Sequence, residues 1–227
     1  MILDLNYLIY MLPAVLLALI AQLVVKRRFR RYGQILNSRG ITGAEAARAI
    51  LMANGIGYVQ VVPVSGTLTD HYDPKEQVIR LSGEVYGASS VSAVGVAAHE
   101  AGHAVQHAEN YGPLSLREAI LPICTIGSRA APYLILLGIV FSITELYLVG
   151  VFGFILVAFF QLVTLPVEFN ASRRAVAALT ATGQYSSEEL DGVQKVLRAA
   201  ALTYVAGLAA SLLQILRLIM ITNNRRN

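Results

Sequence analysis

The residues that could carry chemistry in this chain are His99, Glu100 and His103, which form the motif HEAGH. Two histidines four residues apart lie on one face of a helix, so both imidazoles can reach one tetrahedral zinc ion. Glu100 is rotated by about 100° around the helix axis and lies beside the metal rather than on it. From there it can take a proton from a zinc-activated water and deliver it to the leaving amine. The motif therefore predicts peptide-bond hydrolysis at one Zn²⁺, with Glu100 as the general base.

The surroundings of the motif favour a metal site over a chance match to a short pattern. His99 and Glu100 interrupt a run of Ala, Val and Gly, where ionisable groups are costly unless they are paired or bind a metal. The single cysteine, Cys124, excludes a cysteine zinc cluster within one chain. The ligands must therefore come from His, Asp and Glu.

The two other histidines do not extend the motif into a known pattern. His107 lies four residues past His103, but Gln106 and Glu109 stand where the metzincin pattern needs a glycine and a histidine. We interpret His107 as a helix-end residue or one that supports a ligand, with a third zinc ligand as the alternative. His71 lies in a polar stretch, and we interpret it as a loop residue, with a donor to the developing oxyanion as the alternative.

A catalytic zinc ion binds three protein ligands and keeps a fourth position open, so the third ligand must come from elsewhere. Glu168 is a candidate because it follows an uncharged stretch, and a helix starting after Pro166 would put Glu168 and Ser172 on one face. A glutamate that only interacts with a helix N-terminus is the alternative. Asp191 is the rival ligand, because its LDG sequence is similar to a motif of intramembrane site-2 proteases, although here it follows polar residues.

The composition indicates a membrane protein. Hydrophobic residues make up 56% of the 227 residues and charged residues 14%, against about 25% charged in a soluble domain. Apolar stretches long enough to cross a bilayer predict about four transmembrane helices, at 5–25, 120–143, 146–165 and 199–221.

A basic run follows the first apolar stretch and predicts the orientation of the chain. It consists of Lys26, Arg27, Arg28, Arg30 and Arg31. Such a run beside a hydrophobic segment marks the cytoplasmic end of a membrane span rather than a nucleic-acid site. We therefore expect the active site on the cytoplasmic side of the membrane, and no nucleic-acid partner.

The polar regions predict a small catalytic unit with a short β-sheet. An amphipathic helix is expected at 42–54, strands at 58–62 and 78–82, and a helix that begins after Ser89 or Ser90 and carries HEAGH to near Asn110. The strand at 78–82 is expected to pair with an extended substrate. The predicted segments are a membrane anchor at 1–25, a cytoplasmic zincin-like part at 26–118, a transmembrane hairpin at 119–166, a cytoplasmic helical segment at 167–198 and a transmembrane helix at 199–227.

With these residues in view, the chain resembles the YugP-like family of bacterial membrane-bound neutral zinc metallopeptidases. The resemblance rests on TGAEAARAIL, GTLTDHYDP, VIRLS, SSVSAVGVAAHEAGHAVQH and TLPVEFNASRRA, in this order along nearly the whole chain. It implies His99, His103 and Glu168 as zinc ligands and Glu100 as general base. The chain is more distantly similar to HtpX-type proteases and CaaX prenyl endopeptidases, which have an aspartate where this chain has Ser172.

We therefore expect a mainly α membrane protein in which a zincin-like catalytic unit with a short β-sheet is carried on about four transmembrane helices. Its expected function is that of a gluzincin-type zinc endopeptidase in the bacterial cell membrane, acting on a peptide or protein substrate. Two alternatives stay open. One is an intramembrane protease with Asp191 as ligand, and the other is a non-catalytic zinc-containing scaffold or chaperone.

Overall fold

The computed structural model describes the backbone of residues 5–226 and the side chains of residues 9–220. The ends of the predicted first and last segments, residues 1–4 and 227, lie outside the described residues. The described chain is mainly α-helical with one small sheet, which confirms the predicted fold class. Its elements are α1 (Leu5–Gly33), α2 (Gly43–Ala53), β1 (Gln60–Val64), β2 (His71–Asp73), β3 (Val78–Ser82), α3 (Gly83–Tyr86), α4 (Val91–Ala108), α5 (Gly112–Val140), α6 (Thr144–Ala181) and α7 (Ser187–Arg226).

Within the described residues, four helices are long and apolar enough to cross a membrane, in agreement with the predicted number. They are Ile9–Gly33, Gly112–Val140, Thr144–Ala181 and Ser187–Met220. Each is longer than the roughly 20 residues that cross the hydrocarbon layer.

Helix α6 differs from the sequence prediction at Pro166. A new helix was expected after this proline, but α6 continues through it to Ala181. In an apolar solvent a helix satisfies its own backbone hydrogen bonds, and proline is tolerated inside such helices. Glu168 therefore lies in the interior of a helix and not at an N-terminus, so the helix-dipole interpretation of this residue is wrong.

The chain forms two compact units. The first contains the residues up to Gln22, Ser115–Pro166 and the chain from Leu202 onward. In it Ile135, Tyr147 and Leu218 form a small buried cluster. The hydroxyl of Tyr147 donates a hydrogen bond to the backbone carbonyl of Leu218 over 2.7 Å, so the phenol is satisfied in apolar surroundings.

The second unit consists of Leu23–Leu114 and Val167–Ala201 and has the larger hydrophobic core. Its sheet has the strand order β1-β3-β2, with β1 parallel and β2 antiparallel to β3. Strand β1 contains Pro63, which was expected to end it; an edge strand tolerates a residue without an N–H. Strand β2 was not predicted, because its residues are mostly polar.

The position of β3 contradicts one sequence-based expectation. Residues 78–82 form a strand, as predicted, but β3 lies in the centre of the sheet. Both of its edges already bond to neighbouring strands, so it cannot pair with a substrate. The edge strands of this sheet are β1 and β2.

Side-chain caps define where the helices of the second unit begin. Thr42 caps α2 through a capping box with Glu45, in which each side chain bonds to the other residue's backbone N–H. Ser90 caps α4, where its hydroxyl accepts a hydrogen bond from the Ala93 N–H over 3.2 Å. Helix α4 then packs against α2 through small side chains and carries the HEAGH motif.

Candidate metal centre

The two histidines of the motif lie side by side on α4. Their ring centroids are 4.7 Å apart, and the rings are inclined by 81° to each other. This is what a spacing of four residues produces on one helix face. Both side chains are mostly buried, with 15% of His99 and 14% of His103 exposed.

Helix α6 brings a carboxylate to the same point. Glu168 Oε2 lies 3.3 Å from Nε2 of His99 and 3.6 Å from Nε2 of His103. Only 4% of the Glu168 side chain is exposed. One donor atom from each of the three residues lies within 4.8 Å of the other two, so the group could hold a metal ion.

This donor set fits zinc. Two imidazole nitrogens and one carboxylate oxygen form the ligand set of a known class of catalytic zinc sites. Ligands at about 2.0–2.2 Å from a tetrahedral ion are about 3.3–3.6 Å apart. The two distances between Glu168 and the histidines agree with that separation. A third protein ligand from a different helix leaves the fourth position for a water or a substrate.

A glycine in the motif allows α4 and α6 to approach closely. A Cβ atom on Gly102 would lie 2.7 Å from the carbonyl oxygen of Ala171, which is closer than real Cβ contacts. Ala171 lies on α6, three residues after Glu168. The absence of a side chain at Gly102 is therefore a condition for Glu168 to reach the histidines, a role that the sequence analysis did not assign.

The second nitrogen of each histidine contacts a polar side chain. Ser172 Oγ lies 3.2 Å from Nδ1 of His99. Gln106 Oε1 lies 3.0 Å from Nδ1 of His103. The sequence analysis did not predict the contact between Gln106 and His103. The position of Gln106 three residues after His103, on the same helix face, could have indicated it.

The carboxylates raise the pKa of the His103 imidazole. Burial by itself would lower the pKa, because it disfavours the charged ring. The hydrogen bond with Glu168, the negative charges of Glu100 and Glu168 and the hydrogen bond with Gln106 outweigh burial and raise it. The same negative surroundings favour a metal cation.

Glu100 lies next to His99 on α4 and is buried, with 9% exposed. Its carboxylate is near enough to His103 to act on the pKa of that ring. The carboxylate of Glu100 therefore lies near the two histidines, which Glu168 also approaches.

The other candidates from the sequence lie outside this group. Asp191 forms an ion pair with Lys195 one turn further along α7, and 55% of its side chain is exposed. The ring of His107 contacts the ring of Tyr72 edge to face, with centroids 6.1 Å apart. His71 was expected in a loop but lies in β2, where its Nδ1 is 2.8 Å from the carbonyl oxygen of Thr69.

The structure combines candidate membrane-spanning helices with a His-His-Glu group that could hold a metal ion, and the comparison with protein families agrees with both features. The chain belongs to the family described as "Putative neutral zinc metallopeptidase", whose model matches residues 7–223. Zinc is thus the cofactor, as the motif predicted.

A bacterial relative supports the same family. The chain is 50% identical to "Putative membrane protease YugP" of Bacillus subtilis (strain 168) over 207 residues, which cover 91% of this chain and 92% of the relative. This similarity and the four candidate membrane-spanning helices identify the chain as a membrane protein. No solved structure matches the chain.

Proposed function

We propose that this protein is a gluzincin-type endopeptidase in which His99, His103 and Glu168 hold one zinc ion. The observation that carries the proposal is the convergence of Glu168 Oε2 from α6 on the Nε2 atoms of both histidines on α4, at 3.3 and 3.6 Å. An acidic residue beside the ligands, Glu100, distinguishes a hydrolytic site from a structural one, since a structural zinc site needs no base.

The chain's own residues supply the proton transfers of the reaction. A bound zinc ion would polarise the peptide carbonyl and make water more acidic. Glu100 accepts a proton from the attacking water as the new C–O bond forms. It then donates that proton to the amine nitrogen as the C–N bond breaks. General acid–base transfer of this kind contributes about 10²–10⁴-fold to the rate.

The substrate is a peptide or a protein segment that binds in an extended conformation beside β2. Strand β2 is an edge strand of the sheet, and Tyr72 within it contacts His107 at the end of α4. The opposite edge strand, β1, contains Pro63 and so lacks one backbone donor. Pairing through the backbone accommodates many side chains, which suits a protease of broad specificity.

The site acts on the cytoplasmic side of the bacterial cell membrane in this proposal. The support is the basic run that begins at Lys26 and ends at Arg31, directly after the first apolar segment. The lipid bilayer is the solvent of the apolar helices, and no nucleic acid is expected as a partner.

The two alternative functions are less well supported. In an intramembrane site-2-type protease Asp191 would be the third ligand, but its carboxylate is paired with Lys195 and largely exposed. A zinc-containing scaffold or chaperone would have no use for Glu100 at the metal centre.

Zinc content and peptide cleavage, measured together, test the proposal. The full-length protein in detergent should contain one zinc ion per chain and cleave an unfolded peptide. Glu100→Gln should keep the zinc ion and lose cleavage. A protein that binds zinc and cleaves no peptide, or a Glu100→Gln variant as active as wild type, would contradict it.

A further inference from the structure

We infer that Gln106 is a positioning residue that holds His103 in the tautomer with its proton on Nδ1, so that Nε2 remains the ligand atom. The inference rests on the proposed zinc site, because it concerns how one of the three ligands is presented. It follows from a chain of hydrogen bonds between α4 and α6.

The amide of Gln106 is fully buried, with 0% of the residue exposed. Buried polar groups in folded proteins are nearly always hydrogen-bonded, because a buried group without a partner has lost its hydrogen bonds to water. Every polar atom of this side chain does have a partner. Those partners leave the amide only one orientation.

The nitrogen end of the amide faces α6. Gln106 Nε2 donates to the backbone carbonyl of Val167 over 2.8 Å and to Asn170 Oδ1 over 2.9 Å. A backbone carbonyl can only accept, so this end of the amide must be the NH₂ group. A reversed amide would set its oxygen against the carbonyl oxygen of Val167. The hydrogen-bond partners therefore distinguish the nitrogen of the Gln106 amide from its oxygen.

Asn170 strengthens this orientation from the other side. Its Oδ1 accepts a second hydrogen bond, from Nε of Arg174 over 2.7 Å. A guanidinium group can only donate, so Asn170 must present its oxygen to both neighbours. Arg174 is itself held by an ion pair with Glu109, over 2.6 Å. The orientation of the Gln106 amide is thus tied to a charged pair near the end of α4.

The oxygen end of the amide then determines the state of His103. Gln106 Oε1 lies 3.0 Å from Nδ1 of His103 and can only accept. Nδ1 must therefore carry a proton. A neutral imidazole has one N–H, so the lone pair is on Nε2, the atom that lies 3.6 Å from Glu168 Oε2. Only this tautomer has a lone pair on Nε2 that can bind a metal ion at the proposed site.

The partner of the second histidine is a hydroxyl group. Nδ1 of His99 lies 3.2 Å from the hydroxyl of Ser172, which can rotate and either donate or accept. Ser172 is therefore compatible with both tautomers of His99, whereas Gln106 is compatible with one tautomer of His103. This asymmetry predicts that the zinc site depends more on Gln106 than on Ser172.

The test uses the full-length protein in detergent and compares Gln106→Met with Ser172→Ala. The Met side chain is similar in length to Gln but makes none of the three hydrogen bonds. The zinc dissociation constant, from competition with a chromophoric chelator, should rise by about 10–100-fold for Gln106→Met. Ser172→Ala should cause a smaller rise. Equal zinc affinity in wild type and Gln106→Met would overturn the inference.

A spectroscopic measurement separates positioning from a merely structural role. In the zinc-loaded wild type, ¹⁵N-labelled histidine should give a slowly exchanging ring N–H at Nδ1 of His103. In Gln106→Met that proton should exchange faster and shift, because its acceptor is gone. If the signal is unchanged in the variant, Gln106 does not hold the ring and the inference fails.

A second pair of variants keeps the inference testable if Gln106→Met does not fold. Asn170→Asp retains an oxygen that accepts from Gln106 and Arg174, so it should bind zinc nearly as tightly as wild type. Asn170→Leu removes that oxygen and should weaken zinc binding. Equal zinc affinity in these two variants would contradict the network.

Glu168→Ala distinguishes this inference from the proposed function. If Glu168→Ala loses zinc while Gln106→Met retains wild-type affinity, only the role of Gln106 is wrong. If Glu168→Ala retains zinc, the ligand set itself is wrong and the role of Gln106 falls with it.

Discussion

Glu168 Oε2 and His99 Nε2 lie 3.3 Å apart although they belong to different helices, α6 and α4. The two helices meet where Gly102 has no side chain, beside Ala171. A carboxylate therefore arrives at the histidine pair only because two backbones pack closely.

Replacing the acid of the motif should separate metal binding from catalysis. Glu100→Gln keeps the size of the side chain but removes its ability to take a proton. We expect wild-type zinc content and a loss of peptide hydrolysis of about 10²–10⁴-fold or more. Zinc is measured by elemental analysis and hydrolysis with a fluorogenic peptide. Cleavage near the wild-type rate would rule out Glu100 as the base.

Two acidic residues should differ in their effect on zinc. Glu168→Ala removes one of three proposed ligands, so zinc and activity should both be lost. Asp191→Ala removes only the partner of Lys195 at an exposed position, where an ion pair contributes about 0–1 kcal/mol. This matched variant should keep its zinc. The opposite result would indicate an intramembrane protease with Asp191 as ligand.

A methyl group at the contact between α4 and α6 should damage the metal centre from a distance. Gly102→Ala introduces a Cβ within 2.7 Å of a backbone oxygen, so the helices must separate. We expect weaker zinc binding and a loss of about 1–3 kcal/mol of unfolding free energy. Gly95→Ala is the control on the same helix, because its Cβ would first meet the side chain of Val193 at 3.2 Å. An equal effect of both substitutions on zinc affinity would argue against the close approach.

Zinc affinity should increase with pH through the pKa of His103. Because the folded metal-free protein raises this pKa above its usual value of about 6.5, protonated His103 stabilises that state at low pH. The contribution is lost as the pH rises through the raised pKa. Zinc must displace this proton, so its dissociation constant falls over the same interval. A dissociation constant that does not change with pH around this pKa would contradict the competition between zinc and the proton.

The side of the membrane can be tested with one introduced thiol. Ser38 is exposed shortly after the basic run, and Cys124 is buried and can be replaced by serine. In intact cells, Ser38→Cys in the Cys124→Ser background should resist a membrane-impermeant thiol reagent. Permeabilised cells provide the control for reactivity. Labelling of intact cells would move the proposed active site to the outer side.

The features that the sequence determined by itself are local in the chain. The pairing of His99 with His103 follows from helical periodicity, and the caps at Thr42 and Ser90 follow from short-range hydrogen bonds. The number of candidate spans follows from the length and hydropathy of each stretch. Each of these depends on residues within a few turns of one another.

Tertiary structure decided the features that join distant parts of the chain. Helical periodicity alone could not decide whether Glu168 or Asp191 is the third ligand, because both are acidic residues near the expected start of a helix. The continuation of α6 through Pro166 and its contact with Gly102 bring Glu168 to the histidines. The position of β3 in the centre of the sheet likewise depends on β2, whose polar residues give no strand signal.

The place of Gln106 shows the physical reason most clearly. Its distance from His103 along α4 was visible in the sequence, but the direction of its amide was not. That direction depends on the carbonyl of Val167 and the oxygen of Asn170, which come from another helix. A short-range pattern specifies which residues share a helix face. Packing between helices specifies which of their atoms donate, accept and bind a metal.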